Sequence, residues 1–213
     1  MARITVIGGT GYAGSAVVQE AVRRGHKVTS VSRSAPSAPL AGVKYVQGSI
    51  VDADFVDGVV SGADAVVASV PARGDMVDSF DLAVQNIIST AEAAGVRLVV
   101  VGGYSTLRPE PGAPRFIEGT VPAEYLIEAS AGYRLLLALE SSPISLDYVY
   151  LSPAAKFGAW VPGDATGAYR LGGDVAILDE DGSSFISAPD LALAVLDLVE
   201  SGEHSRGHVS VVS

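Results

Sequence analysis

An α/β fold, doubly wound around a mainly parallel sheet with a small C-terminal flap and hairpin region, is what this sequence predicts. Three observations carry the prediction. Short β-branched runs recur along the chain, apolar residues at helical spacing follow most of them, and the connections are short and rich in glycine, serine, proline and aspartate. One such unit opens the chain. Arg3 to Ile7 is a strand by propensity. Gly8, Gly11 and Gly14 follow at intervals of three, and Ala16, Val17, Val18, Ala21 and Val22 give a helix over Ser15 to Arg24 that stops at Gly25. Lys27 to Ser32 is the second strand and Val43 to Gln47 the third, with a Pro- and Ser-rich loop from Ser34 to Leu40 between them. Asp52-Ala53-Asp54 caps a short helix that runs to Val60. Asp64 to Val70 is the fourth strand, Ser79 to Ala94 a long helix stopped by Gly95, and Arg97 to Val101 the fifth strand. Ala123 to Leu139 is helical, and Ile144 to Leu151 is the sixth strand. Ser187 and Asp190 cap a late helix, and Gly207 to Val212 is a last strand joining the sheet edge. Alternation of this kind sets the strands parallel and puts helices on both faces.

Composition sets the outer limits. A chain of 213 residues can bury one large core, so a single domain over 1–213 is expected. Apolar residues make up 48%, which argues against disorder. The absence of cysteine excludes disulfides and thiolate metal sites, and His26, His204 and His208 show no ligand spacing, so no metal is expected. A net charge of −10 disfavours nucleic acid as a partner. The apolar runs are too short to span a bilayer, and no leader pattern precedes the strand at residue 3. A cytoplasmic protein with no membrane partner, monomeric or homodimeric, is the expectation.

Strand, glycine turn and helix start arrive in the order a dinucleotide site needs. Glycines let the backbone approach a pyrophosphate, and free N–H groups at the helix start meet its charge. Gly8, Thr10, Gly11, Tyr12, Ala13 and Gly14 are therefore the candidate cradle. The end of the second strand selects the dinucleotide. A carboxylate there would accept from the ribose hydroxyls of NAD, but no Asp or Glu occurs between Glu20 and Asp52. Arg33 can instead pair with a 2′-phosphate, with Ser32 and Ser34 as neighbouring donors. NADP(H) is expected over NAD(H), with no local carboxylate opposing the phosphate. The loops after later strands should line the same crevice: Ser49 and Ile50 after the third, Ala68, Ser69, Val70 and Arg73 after the fourth, Gly102, Gly103, Tyr104 and Ser105 after the fifth. Arg73 reads equally as a phosphate or substrate clamp and as a surface charge.

The turn Gly8-Gly9-Thr10-Gly11-Tyr12-Ala13-Gly14 resembles the T-G-x-x-G-x-x-G type of extended and atypical short-chain dehydrogenase/reductases. Val99 to Gly103, Leu146 to Ala154 and Ile186 to Ala194 extend the likeness to an atypical group, the NAD(P)H-binding proteins related to biliverdin-IXβ/flavin reductases and NmrA-like redox sensors. It runs from Ile4 to about Glu200. The resemblance implies a Rossmann-type fold, with Ser152, Pro153 and Ala154 beside the nicotinamide carboxamide. It also implies substrate-pocket elements in about 104–122 and 152–178. Members usually carry an aspartate where Ser49 stands, so adenine readout departs here. Short-chain dehydrogenases typically use a Tyr-x-x-x-Lys pair, in which the ammonium lowers the phenol pKa across one helical turn. None of the eight tyrosines has a lysine four residues on, and the only lysines are Lys27, Lys44 and Lys156. That departure points away from sugar-nucleotide epimerases and ordinary alcohol dehydrogenases, and leaves Tyr104 and Ser105 as the catalytic or orienting candidates.

Two functions stay open. One is an NADPH-dependent reductase passing hydride to a flat conjugated small-molecule acceptor, a flavin, quinone or tetrapyrrole, with the proton drawn from solvent. The other is an NADP(H)-binding redox sensor that acts through a partner surface. Between Phe157 and Leu178, Trp160 and Tyr169 either stack on a flat substrate or cover the core, the latter being expected, and Gly172-Gly173 marks a hairpin turn.

Overall fold

The computed structural model describes residues 1–213. Eight strands form one sheet: β1 (Arg3–Ile7), β2 (Lys27–Ser32), β3 (Val43–Gln47), β4 (Ala65–Ala68), β5 (Arg97–Val101), β6 (Tyr148–Pro153), β7 (Arg170–Leu171) and β8 (Gly207–Val212). Their order is β3-β2-β1-β4-β5-β6-β8-β7, parallel throughout except for the β7–β8 pair. Five helices cover the two faces: α1 (Tyr12–Arg23), α2 (Ala53–Val60), α3 (Phe80–Ala94), α4 (Ala123–Glu140) and α5 (Ala188–Ser201). This is a Rossmann-type, doubly wound α/β fold.

Period-two alternation builds the two cores. Val66, Ala68, Leu98, Val100, Tyr148 and Tyr150 face α2, α3 and α4. Val67, Val99, Val149 and Leu151 face α1 and α5. Because the central strands are apolar on both faces, they read in the sequence as continuous hydrophobic runs. Burial of each valine or leucine among them contributes roughly 1.5–3 kcal/mol.

Strand and helix borders mostly follow local chemistry. Asp52 caps α2 by accepting from the Phe55 N–H at 3.2 Å, and Gly95 ends α3 in the left-handed region at φ 62°. Four borders move. α1 starts at Tyr12 rather than Ser15, because Gly11 is already its N-cap and the glycine turn winds directly into the helix. β4 is shorter than Asp64 to Val70, since Asp64 is drawn to Arg3 at 2.7 Å and Ser69 turns into the cleft. β6 runs later than Ile144 to Leu151: Leu98 pairs with Tyr148, so the ladder begins there and carries on to Pro153. β8 lies inside the edge, covered by the two-residue β7.

The segment after β6 also departs from expectation. No hairpin turns at Gly172-Gly173; β7 pairs with β8, and both glycines continue that pairing through Ser210. β8, which comes later in the chain, offers the edge on which β7 pairs, so no partner strand within the segment is needed. Tyr169 covers the α1/α5 core as expected and donates to Asp197 at 2.5 Å. Trp160 does not: it is 69% exposed and lies over Gly158, because its irregular loop passes outside the packed layers.

Candidate functional site

The strand order reverses at β1, with β2 on one side and β4 on the other, which opens a crevice at the carboxyl ends of these strands. A cleft of about 180 Å³ lies there. Gly8, Thr10 and Gly11 line it from the glycine turn, Ser32, Arg33 and Ser34 from the end of β2, Ile50 from the loop after β3, and Ser69 and Val70 from the loop after β4. A separate small cavity nearer α3 is lined only by apolar side chains and offers no polar chemistry.

The glycine turn is built for a close approach. Gly8 has φ +82°, and a Cβ there would run into the Ser69 carbonyl. A Cβ on Gly14 would fall on the Gly8 carbonyl, so α1 packs directly on the turn. The turn is pinned to the sheet by the Gly8 and Gly9 N–H groups, both donating to the Val31 carbonyl. The N–H groups of Tyr12, Ala13 and Gly14 have no acceptor within the protein, and no acidic residue stands in the first turn of α1. Three converging donors at a helix N-terminus suit a pyrophosphate. This chain therefore fits a dinucleotide by its own geometry.

The other nominated residues divide. Ile50 is buried and held by Asn86 of α3, whose amide donates to the Ile50 and Val51 carbonyls at 3.1 and 3.0 Å. Ser49 accepts from the Val51 N–H at 3.3 Å, within its own turn. Ala68 and Ala13 are buried, as strand end and helix packing. Arg73 does not line the cleft and pairs with Glu128 of α4 at 2.5 Å. Arg33 lies in the cleft, but its guanidinium is paired with Asp75. The expectation of no opposing carboxylate is thereby corrected. None exists near Arg33 in sequence, yet the 3-10 turn Gly74–Ser79 after β4 brings one from 42 residues away. Sequence reasoning also missed Pro71 and Met76 in the cleft wall.

Gly102, Gly103, Tyr104 and Ser105 do not line this cleft: they follow β5, the neighbour of β4 in the sheet, and Tyr104 stacks on Phe116 with ring centroids 4.9 Å apart. Burial pushes the Tyr104 phenol pKa up, and no cation stands by to lower it. Neither the Tyr104 nor the Ser105 hydroxyl has a protein partner; Ser152 and Ala154 are buried beneath.

Ser152 belongs to a buried chain of hydrogen bonds. Arg115 donates to His208 Nδ1 at 3.1 Å, and His208 Nε2 lies 2.8 Å from Ser152 Oγ. A guanidinium can only donate, so Nδ1 accepts and Nε2 carries the proton. Ser152 then donates to Thr106 Oγ1 at 2.9 Å, and Thr106 to the Gly103 carbonyl at 2.7 Å. The chain fixes the loop after β5 from below. Burial, with the Arg115 charge second, pushes the His208 pKa down to about 4. A base depressed in the fold loses stability as pH falls from its unfolded value near 6.5 toward 4, because the unfolded chain takes the proton first. At most roughly 3 kcal/mol is lost across that window. Urea midpoints from pH 7 to 4.5 should fall more steeply in the natural protein than in His208→Gln; parallel slopes would show that His208 titrates normally.

Comparison with known proteins agrees with this geometry. A family model described as NAD(P)H-binding matches residues 8–201. YwnB of Bacillus subtilis (strain 168) is 34% identical over 214 residues, spanning 99% of this chain and 98% of that protein. A Streptococcus pneumoniae TIGR4 structure, named provisionally as an NADH-flavin reductase, is 27% identical with TM-score 0.88, over 100% of both chains. A Bacteroides thetaiotaomicron structure, named provisionally as an epimerase, is 33% identical with TM-score 0.87, over 99% of this chain and 96% of that one.

Proposed function

The chain belongs to the NAD(P)H-binding family, of the atypical short-chain dehydrogenase/reductase type, and from that premise we propose that it is an NADPH-dependent reductase of a flat conjugated acceptor such as a flavin, quinone or tetrapyrrole. One observation carries the reading. No tyrosine of the chain has a lysine four residues on, and of the two tyrosines by Gly102 and Gly103, Tyr150 is committed to the Gly132 carbonyl while Tyr104 is a phenol that burial makes less acidic. Chemistry that needs a strong positioned acid is poorly served there. An acceptor that stacks and takes its proton from solvent needs only orientation and a dry face.

The cofactor, when bound, supplies hydride. The Tyr12, Ala13 and Gly14 N–H groups hold the pyrophosphate, Ile50 packs on the adenine, and Arg33 with Ser32 and Ser34 reads the 2′-phosphate. Gly102, Gly103, Ser152, Pro153 and Ala154 form the floor under the nicotinamide. Tyr104 and Ser105 orient the acceptor, which lies between segments 104–122 and 152–178 of a single 1–213 domain. No helix is long and apolar enough to cross a membrane. The provisional name of the pneumococcal relative, NADH-flavin reductase, supports a flavin-like acceptor but not the choice of NADPH.

A regulatory NADP(H)-binding protein is the second reading. It draws on the exposed apolar start of α4, where Tyr125, Leu126 and Ile127 are 58%, 47% and 62% exposed. Turnover separates the two. NADPH oxidation with a panel of flavins and quinones should exceed the protein-free rate, with NADPH preferred to NADH by about tenfold, the weight of one charge-assisted contact. Tight dinucleotide binding with no turnover on any acceptor would favour the regulatory reading instead.

A further inference from the structure

We propose that Asp75 is a specificity-determining residue, which engages Arg33 across the mouth of the cleft and so restrains the preference for the 2′-phosphorylated dinucleotide. The inference rests on the reading of Arg33 as the phosphate reader. β2 and β4 flank β1, so the loops that follow them face each other over the glycine turn. Arg33 comes from the first loop and Asp75 from the second, and they meet as an ion pair. Their neighbours Ser32, Ser34, Pro71 and Met76 line one cleft between them. The other arginine of that rim, Arg73, is engaged with Glu128, so no second cation from the segment stands in for Arg33.

A guanidinium presents one planar fork, which matches a carboxylate or a phosphate equally well. A 2′-phosphate must therefore displace Asp75 from the fork or share the guanidinium with it. Either way a carboxylate stands within a few ångströms of a group carrying about two negative charges. A plain ribose hydroxyl makes no such demand, so NADH leaves the pair intact. The restraint acts on NADPH alone. Both side chains are exposed, at 54% and 80%, which keeps the effect modest.

The test is isothermal titration of NADPH and NADH into the natural protein, Asp75→Asn, Arg33→Ala and the double variant, at one ionic strength. Asp75→Asn should tighten NADPH about three- to tenfold while NADH changes less than about twofold. Arg33→Ala should weaken NADPH about tenfold, and Asp75→Asn should gain less in that background, where only repulsion is left to relieve. NADPH affinity that is unchanged or weaker in Asp75→Asn, with Arg33→Ala still costly, would overturn the restraint and leave Arg33 as phosphate reader. A NADPH to NADH ratio indifferent to Arg33→Ala would overturn both. Failure of the natural protein to bind either dinucleotide would remove the functional reading and this inference with it. Both residues are on the surface, so matching melting temperatures confirm that the variants are folded.

Discussion

Gly14→Val is expected to abolish NAD(P)H binding, a loss of at least about a hundredfold, or roughly 3 kcal/mol. A Cβ at this position would occupy the Gly8 carbonyl and crowd the Gly9 Cα. The first turn of α1 would have to swing off the glycine turn. The Tyr12, Ala13 and Gly14 N–H groups, which have no acceptor in the protein, would then no longer converge on one anion. Gly11 makes a useful contrast. It has an ordinary φ of −77°, and an added Cβ would meet only the Gly8 carbonyl oxygen, at 3.2 Å. Gly11→Ala should keep the free fold, and its cost should fall on the bound pyrophosphate. Titration with NADPH, alongside thermal melts, checks both variants; Gly14→Val protein that folds and binds normally would take the turn out of the site.

Asp190→Ala is expected to cost about 3–5 kcal/mol of stability and to release the loop before β7. Asp190 is fully buried at the start of α5. Its carboxylate accepts from the Thr166 and Gly167 N–H groups at 3.0 and 2.9 Å, and from the hydroxyls of Thr166, Ser187 and Ser213 at 3.0, 2.8 and 3.2 Å. Burial works against the charge, but these donors prevail and hold its pKa below the usual value. Removing the carboxylate strands several buried donors at once. Denaturant unfolding measures the loss, and hydrogen exchange at Thr166 and Gly167 locates it. A change under about 1 kcal/mol would mean the donors find water or other partners. The sequence suggested a cap here, and Ser187 does accept from the Asp190 N–H at 3.1 Å. The larger role, as anchor of the flap, depends on residues 23 and 24 positions away.

The features visible in the sequence were those that a few neighbouring residues decide. β1, the glycine turn and α1 are written within Arg3 to Arg23 because strand propensity, close backbone approach and helical periodicity are all short-range. β2, β3 and β5 match their expected borders for the same reason. The strand-and-helix alternation then leaves few topologies, and the crevice at the carboxyl ends of β1 and β4 follows from the order alone. Side-chain partnerships were decided elsewhere. Arg33 looked unopposed until sheet order set the loop after β4 against the end of β2 and put Asp75 on its guanidinium. Arg73 found Glu128, which α4 brings from 55 residues away. His208, read only as lacking metal spacing, became the centre of a buried relay once β8 paired with β6 and laid it against Ser152. Local propensity acts over one turn or one strand, whereas a charge or hydroxyl finds its partner through whichever backbone the closed sheet carries past it. For that reason this sequence determines the glycine turn and the strand order that open the crevice, and only the tertiary structure decides which charged groups meet across it.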